Sequence, residues 1–171
     1  MASLDSQNGR ADVIDDLLLN GADVNKKNNH NNTPLHLASQ NGFDEVVAKL
    51  LRAKKINVNY KDLHANSALH LAAQNGQIAV TQLLLENGAE VNSVNSHKMV
   101  PLHLAAQNGH LALSKMLVDA GADMNIADLI GNTPLHIAVH TSHQDIAQML
   151  IASGANTEAK NSVGLTPSQL G

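Results

Sequence analysis

One six-residue pattern recurs along this chain at a nearly constant interval. It appears as Thr33-Pro34-Leu35-His36-Leu37-Ala38, as Ser67-Ala68-Leu69-His70-Leu71-Ala72, as Val100-Pro101-Leu102-His103-Leu104-Ala105 and as Thr133-Pro134-Leu135-His136-Ile137-Ala138. A fragment, Thr166-Pro167-Ser168, closes the sequence. The histidines at 36, 70, 103 and 136 lie 34, 33 and 33 residues apart. A fixed period of this size specifies stacked supersecondary units rather than one closed globule, each unit burying its apolar face against the next. Four full units exceed the roughly three that a stable array needs.

Each unit spells two helices. Thr33 is placed to cap the first by accepting backbone N–H bonds, and Pro34 takes the first helical position, where its missing donor costs nothing. Leu35, Leu37 and Ala38 should face neighbouring helices, and Gly42 should stop the first helix. The second helices take their apolar faces from Val46, Val47, Leu50 and Leu51, then Val80, Leu83, Leu84 and Leu85. Leu111, Leu113, Met116, Leu117 and Val118 follow, then Ile146, Met149, Leu150 and Ile151. Gly88, Gly121 and Gly154 stop three of these helices. The first unit departs from that rule. Lys54-Lys55-Ile56-Asn57 has no Gly-Ala, and Leu51 to Asn59 spans one residue more than Leu85 to Asn92, which reads as a tolerated bulge in a loop.

Residues 1–27 read as an N-terminal cap. Leu4 and Gln7-Asn8-Gly9 match a first-helix end, and Val13, Ile14, Leu17 and Leu18 form one apolar face opposite Asp12, Asp15 and Asp16, with Gly21 as the stop. Asp12 falls in the first turn, where the helix dipole favours it. Residues 161–171 start a fifth unit with no second helix. Part of the fourth unit's apolar face should therefore be uncovered, making this end the softest.

The motif, its period and the Gly21-Ala22-Asp23-Val24-Asn25 type of segment between copies resemble the ankyrin repeat family over nearly the whole chain. The resemblance implies an all-α repeat solenoid of helix-turn-helix units with β-hairpin fingers. Its four full repeats, 28–61, 62–94, 95–127 and 128–160, would lie between the cap and the truncated fifth unit in a single domain, 1–171. It also implies that each motif histidine bonds the motif threonine hydroxyl and tethers the next repeat. Ser67 keeps that hydroxyl and Val100 does not, so the third repeat should lose a helix cap and a histidine partner, at about 1 kcal/mol.

Chemistry finds little foothold. There is no cysteine, which removes disulfides, thiolate catalysis and Cys-based zinc sites together. No Gly-rich phosphate loop or paired-carboxylate pocket stands out, so no enzyme, cofactor or catalytic residue is expected. His136, His140 and His143 have a spacing that could gather imidazoles on one face, but the resemblance commits His136 to the scaffold, and no metal is expected. A net charge of −4 offers no basic field for nucleic acid or anionic lipid. No apolar run approaches the roughly 18 residues of a membrane span, and residues 1–10 lack the apolar core of a signal peptide. The default expectation is a cytoplasmic monomer.

What remains is a binding surface. In the register of the resemblance, His30, His64, His97, Ile130 and Val163 fall at successive fingertips. The three histidines are either solvated or a pH-tuned contact column. Leu63, Met99, Leu129, Ile130, Val163 and Leu165 add apolar side chains there, either as a partner site or as finger-to-finger contacts, and Asn66 and Asn132 complete the fingers. The usual finger glycine survives as Gly131 and Gly164 but is replaced by Asn31, Ala65 and Lys98, which leaves fingers two and three least defined. Beside the fingers the resemblance places a concave groove. It would be lined by Gln40-Asn41, Gln74-Asn75 and Gln107-Asn108, with His140-Thr141 substituting in the fourth repeat. This ladder is either a polar contact surface or a set of helix ends. The expected function is a protein–protein interaction module binding another protein through fingers and groove. The alternative is a structural or targeting segment of a larger multidomain protein with activity elsewhere.

Overall fold

A computed structural model describes residues 11–171, with side chains from Val13 onward. The readings of Leu4, Gln7, Asn8, Gly9 and the Asp12 side chain lie outside the described residues. The helices are α1 (Ala11–Leu19), α2 (Pro34–Asn41), α3 (Asp44–Leu51), α4 (Ala68–Gln74) and α5 (Ile78–Glu86). They continue as α6 (Pro101–Gln107), α7 (Leu111–Asp119), α8 (Pro134–His140) and α9 (Gln144–Ala152), followed by a 3-10 turn at Pro167–Gln169. The chain divides into two compact units, one ending at Glu90 and one running from Val91 to Gly171.

None of these helices exceeds 9 residues, too short to persist alone in water, so stacking must hold them. In the first unit α2 packs on α4, α3 on α5 and α1 on α3; in the second α6 packs on α8, α7 on α9, and α8 on the 3-10 turn. The motif supplies what stacking needs. Leu35, Leu69, Leu102 and Leu135 are buried, and Ala38, Ala72, Ala105 and Ala138 are wholly inaccessible, letting backbones approach. Leu50, Leu84, Leu117 and Leu150 do the same for the second helices.

The apolar faces are narrower than the sequence suggests. Leu83, Leu85, Met116, Val118 and Met149 are only half-buried, and Leu111 and Ile151 are 37% and 49% exposed. Successive residues on a helix are turned by about 100°, so three consecutive apolar residues cannot all face one neighbour. On the fourth repeat's second-helix face only Ile151 and Met149 are incompletely covered, while Ile146 and Leu150 are fully buried.

No strand forms among the described residues, so the expected β-hairpin fingers reduce to single turns. Each turn has one backbone bond across its mouth, as in Asp62 N–H to Asn66 O (2.9 Å), and one closing it, Ala65 N–H to Asp62 O (3.1 Å). Two bonds do not make a ladder. Fingers two and three nevertheless take the same shape as the others: Asn31, Ala65 and Lys98 have φ of 58°, 59° and 56°, against 80° at Gly131. Non-glycine residues adopt this left-handed backbone at a cost of about 1–2 kcal/mol.

In the third repeat the side-chain cap and the hydroxyl partner of the histidine are absent, as expected, but the helix start is still satisfied by backbone. Val100 has no side-chain acceptor, yet α6 starts in register, because the His103 N–H bonds the Val100 carbonyl at 3.0 Å. His103 also keeps a partner, since the Val100 N–H donates to its Nδ1 at 3.1 Å. Only the hydroxyl is missing. Val100→Thr restores it within nearly the same volume and should raise stability by about 1 kcal/mol in urea unfolding. No gain would mean the backbone bond already satisfies this helix start.

Candidate partner-binding surface

Each finger is organised by one side-chain oxygen. The Asp62 carboxylate accepts the N–H groups of His64 (2.8 Å) and Asn66 (2.9 Å), and the Asp128 carboxylate those of Ile130 (3.0 Å) and Asn132 (2.8 Å). Asn28, Asn95 and Asn161 do the same with a side-chain carbonyl. The sequence reading missed these five residues. Their signal was available, since they recur at the motif's own period.

Histidines anchor the fingers from below. In the first unit Thr33 N–H donates to His36 Nδ1 (3.2 Å), with the Thr33 hydroxyl 2.8 Å from the same nitrogen. Because Nδ1 accepts, Nε2 carries the proton and donates to the Asn66 carbonyl at 3.1 Å. In the second unit His103 reaches Asn132 O and His136 reaches Leu165 O, each at 3.1 Å. The expected tether is present within each unit. Burial lowers the His36 and His103 pKa below the ordinary value, outweighing the carbonyl bonds and nearby Asp62 and Asp128, which act upward. Both imidazoles are structural, neutral groups.

Neighbouring fingers are also joined directly. Leu63 N–H donates to His30 O (3.2 Å) in the first unit; Leu129 N–H donates to His97 O (2.9 Å) and Ser162 N–H to Ile130 O (3.0 Å) in the second. This fixes the backbone and leaves the side chains outward. Leu63, Leu129, Ile130 and Val163 are 59%, 60%, 61% and 76% exposed. His64 and His97 are exposed, Asn66, Met99 and Asn132 half-buried. Asn132 is partly scaffold, as its Oδ1 accepts from Asn161 Nδ2 at 3.0 Å.

The helix-end ladder has a local role. Asn41, Asn75 and Asn108 each donate from Nδ2 to the carbonyl four residues back, at 2.7, 2.8 and 2.8 Å. The Thr141 hydroxyl makes the same bond to Ile137 O at 2.8 Å. These residues close their own helices, which explains their repetition without a partner. Gln74 and Gln107 remain exposed beside them. A second asparagine series went unread. Asn25, Asn59, Asn92 and Asn125 each bridge to the loop one repeat on, as in Asn59, which accepts from Glu90 N–H (3.0 Å) and donates to Gly88 O (3.1 Å). The abundance of asparagine therefore has a mechanical basis.

The His136, His140 and His143 imidazoles do not share a task. His136 is held as above, His140 is exposed, and His143 Nδ1 lies 2.9 Å from both Ala106 O and Thr141 Oγ1. Among the described residues no three His, Cys, Asp or Glu are grouped to hold a metal ion, and no helix is long and apolar enough to cross a membrane. Two clefts, of about 810 and 410 Å³, contain none of the fingertip or helix-end residues named above. A family model described as ankyrin repeats, three copies, matches residues 2–95 and again 92–161. No match was found among curated proteins.

Proposed function

The chain belongs to the ankyrin repeat family, whose members are generally protein–protein interaction modules, and from that premise we propose that it binds a partner protein through its finger turns. The observation that carries this reading is the apolar row Leu129, Ile130 and Val163, more than half exposed on backbone that two inter-finger hydrogen bonds hold in place. Scattered exposed apolar residues are ordinary, but adjacent ones on a rigid frame mark interaction sites. Rigidity lowers the entropy lost on binding. Leu63 and His64 offer a similar turn in the first unit. Gln74 and Gln107 supply polar contacts at the rim.

The test is capture of partners by the native chain and by Leu129→Glu/Ile130→Glu, after circular dichroism confirms that both fold. Retention by the native chain with loss by the variant supports the reading. Equal recovery contradicts the site and turns attention to the exposed glutamines at the helix ends.

A further inference from the structure

The loop after α3 has a consequence for the surface of the first unit. The later second helices are closed by glycines in the left-handed region, Gly88, Gly121 and Gly154, with φ of 84°, 88° and 95°. After α3 the matching position is Ala53, which does not take the left-handed backbone, and the loop that follows is one residue longer. A cleft of about 810 Å³ opens there. Its apolar wall is Leu18, Leu19 and Val24, and its basic rim is Arg52, Lys54 and Lys55. Leu19 is 85% exposed, more than any other large apolar residue described. Asn25 pins the rim, donating to Lys55 O (2.6 Å) and accepting from Asn57 N–H (3.0 Å).

Charge distinguishes this cleft. Two nearby cations are already engaged: Lys49 pairs with Asp15 at 2.6 Å, and Lys27 sits 4.2 Å over the Tyr60 ring. Arg52, Lys54 and Lys55 form no ion pair among the described residues. Seven of the chain's 11 Lys and Arg fall within residues 26–61, where the only acids are Asp44 and Glu45, although the chain as a whole is acidic.

We propose that this cleft docks an acidic peptide segment bearing an apolar side chain. Its carboxylates would meet Arg52, Lys54 and Lys55, and its apolar group would cover Leu18, Leu19 and Val24. The volume lies within the roughly 300–1,000 Å³ of ordinary ligand sites, large enough for a few side chains. Asp15 and Asp23 also line the cleft, but Asp15 is paired with Lys49, so Arg52, Lys54 and Lys55 leave a net positive rim. A peptide can set its carboxylates on those three cations, whereas a flat anionic membrane would meet Asp15 and Asp23 as well. The surface is separate from the finger turns, so this proposal stands or falls independently.

Fluorescence anisotropy with the full chain tests it, using a fluorescein-labelled peptide of two leucines flanked by glutamates. Saturable binding is expected, weakened by rising salt and reduced at least about tenfold in Arg52→Glu/Lys54→Glu/Lys55→Glu and in Leu19→Ser, both confined to exposed positions. Leu129→Glu/Ile130→Glu should bind the peptide like the native chain. The proposal is overturned if the native chain shows no saturable binding, or if either cleft variant binds equally well. It is likewise overturned if serine for leucine or lysine for glutamate in the peptide changes nothing, or if phosphatidylserine vesicles bind and the peptide does not.

Discussion

Leu117→Ala lowers stability by about 3–5 kcal/mol, while Leu111→Ala on the same helix changes it by less than about 1 kcal/mol. Both are leucines of α7, and hydropathy alone ranks them together. Leu117 is fully buried, whereas Leu111 opens the helix and is 37% exposed. Truncating the first leaves a cavity that stacked helices can only partly close; truncating the second leaves a gap that water fills. The same contrast should separate Leu84→Ala from Leu83→Ala on α5. Urea unfolding of the four variants measures it. Equal losses at Leu111 and Leu117 would mean that α7 presents a different face to its neighbours.

His103→Ala should cost about 2–4 kcal/mol, more than its modest volume implies. The imidazole is inaccessible and satisfies two backbone groups, the Val100 N–H and the Asn132 carbonyl. Its removal strands both and frees finger four from the helix below. Acid should act in the same direction on the native chain. His36 and His103 have folded-state pKa values below the ordinary histidine value, so the unfolded chain binds protons more readily than the folded one. Their contribution is complete above about pH 6.5 and declines as pH falls below it, levelling only beneath the lowered folded values. Urea midpoints measured from about pH 7.5 down to pH 5 should therefore fall. His103→Ala should flatten that dependence. A midpoint that rises on acidification would contradict the neutral, buried assignment.

Helix positions were legible because every constraint sits within one motif: a cap residue, a proline at the first helical position, buried leucines and a terminal glycine. What was not legible depends on contacts one repeat away or on helical phase. Val100 looked like a lost cap because a side chain can be read from sequence, whereas the carbonyl that replaces it cannot. Ser142 takes a left-handed φ of 62° where other repeats use glycine, and nothing in its own identity signals that. The helix-end asparagines suited two readings, and the short bond from Nδ2 to the preceding turn shows the local one. Fingers two and three seemed ill-defined without glycine, yet the Asp62 carboxylate and the Asn95 carbonyl hold them in the common shape. Exposure of Leu129 and Ile130 was anticipated correctly, since a turn tip offers no core to enter.

Amide hydrogen exchange of the chain, free and with a captured partner, tests the central reading most directly. The finger account predicts that the partner slows exchange most around Leu129, Ile130 and Val163, with a smaller effect at the rim, Gln74-Asn75 and Gln107-Asn108. New protection confined to the helix ends, with the fingertips exchanging as before, would contradict it.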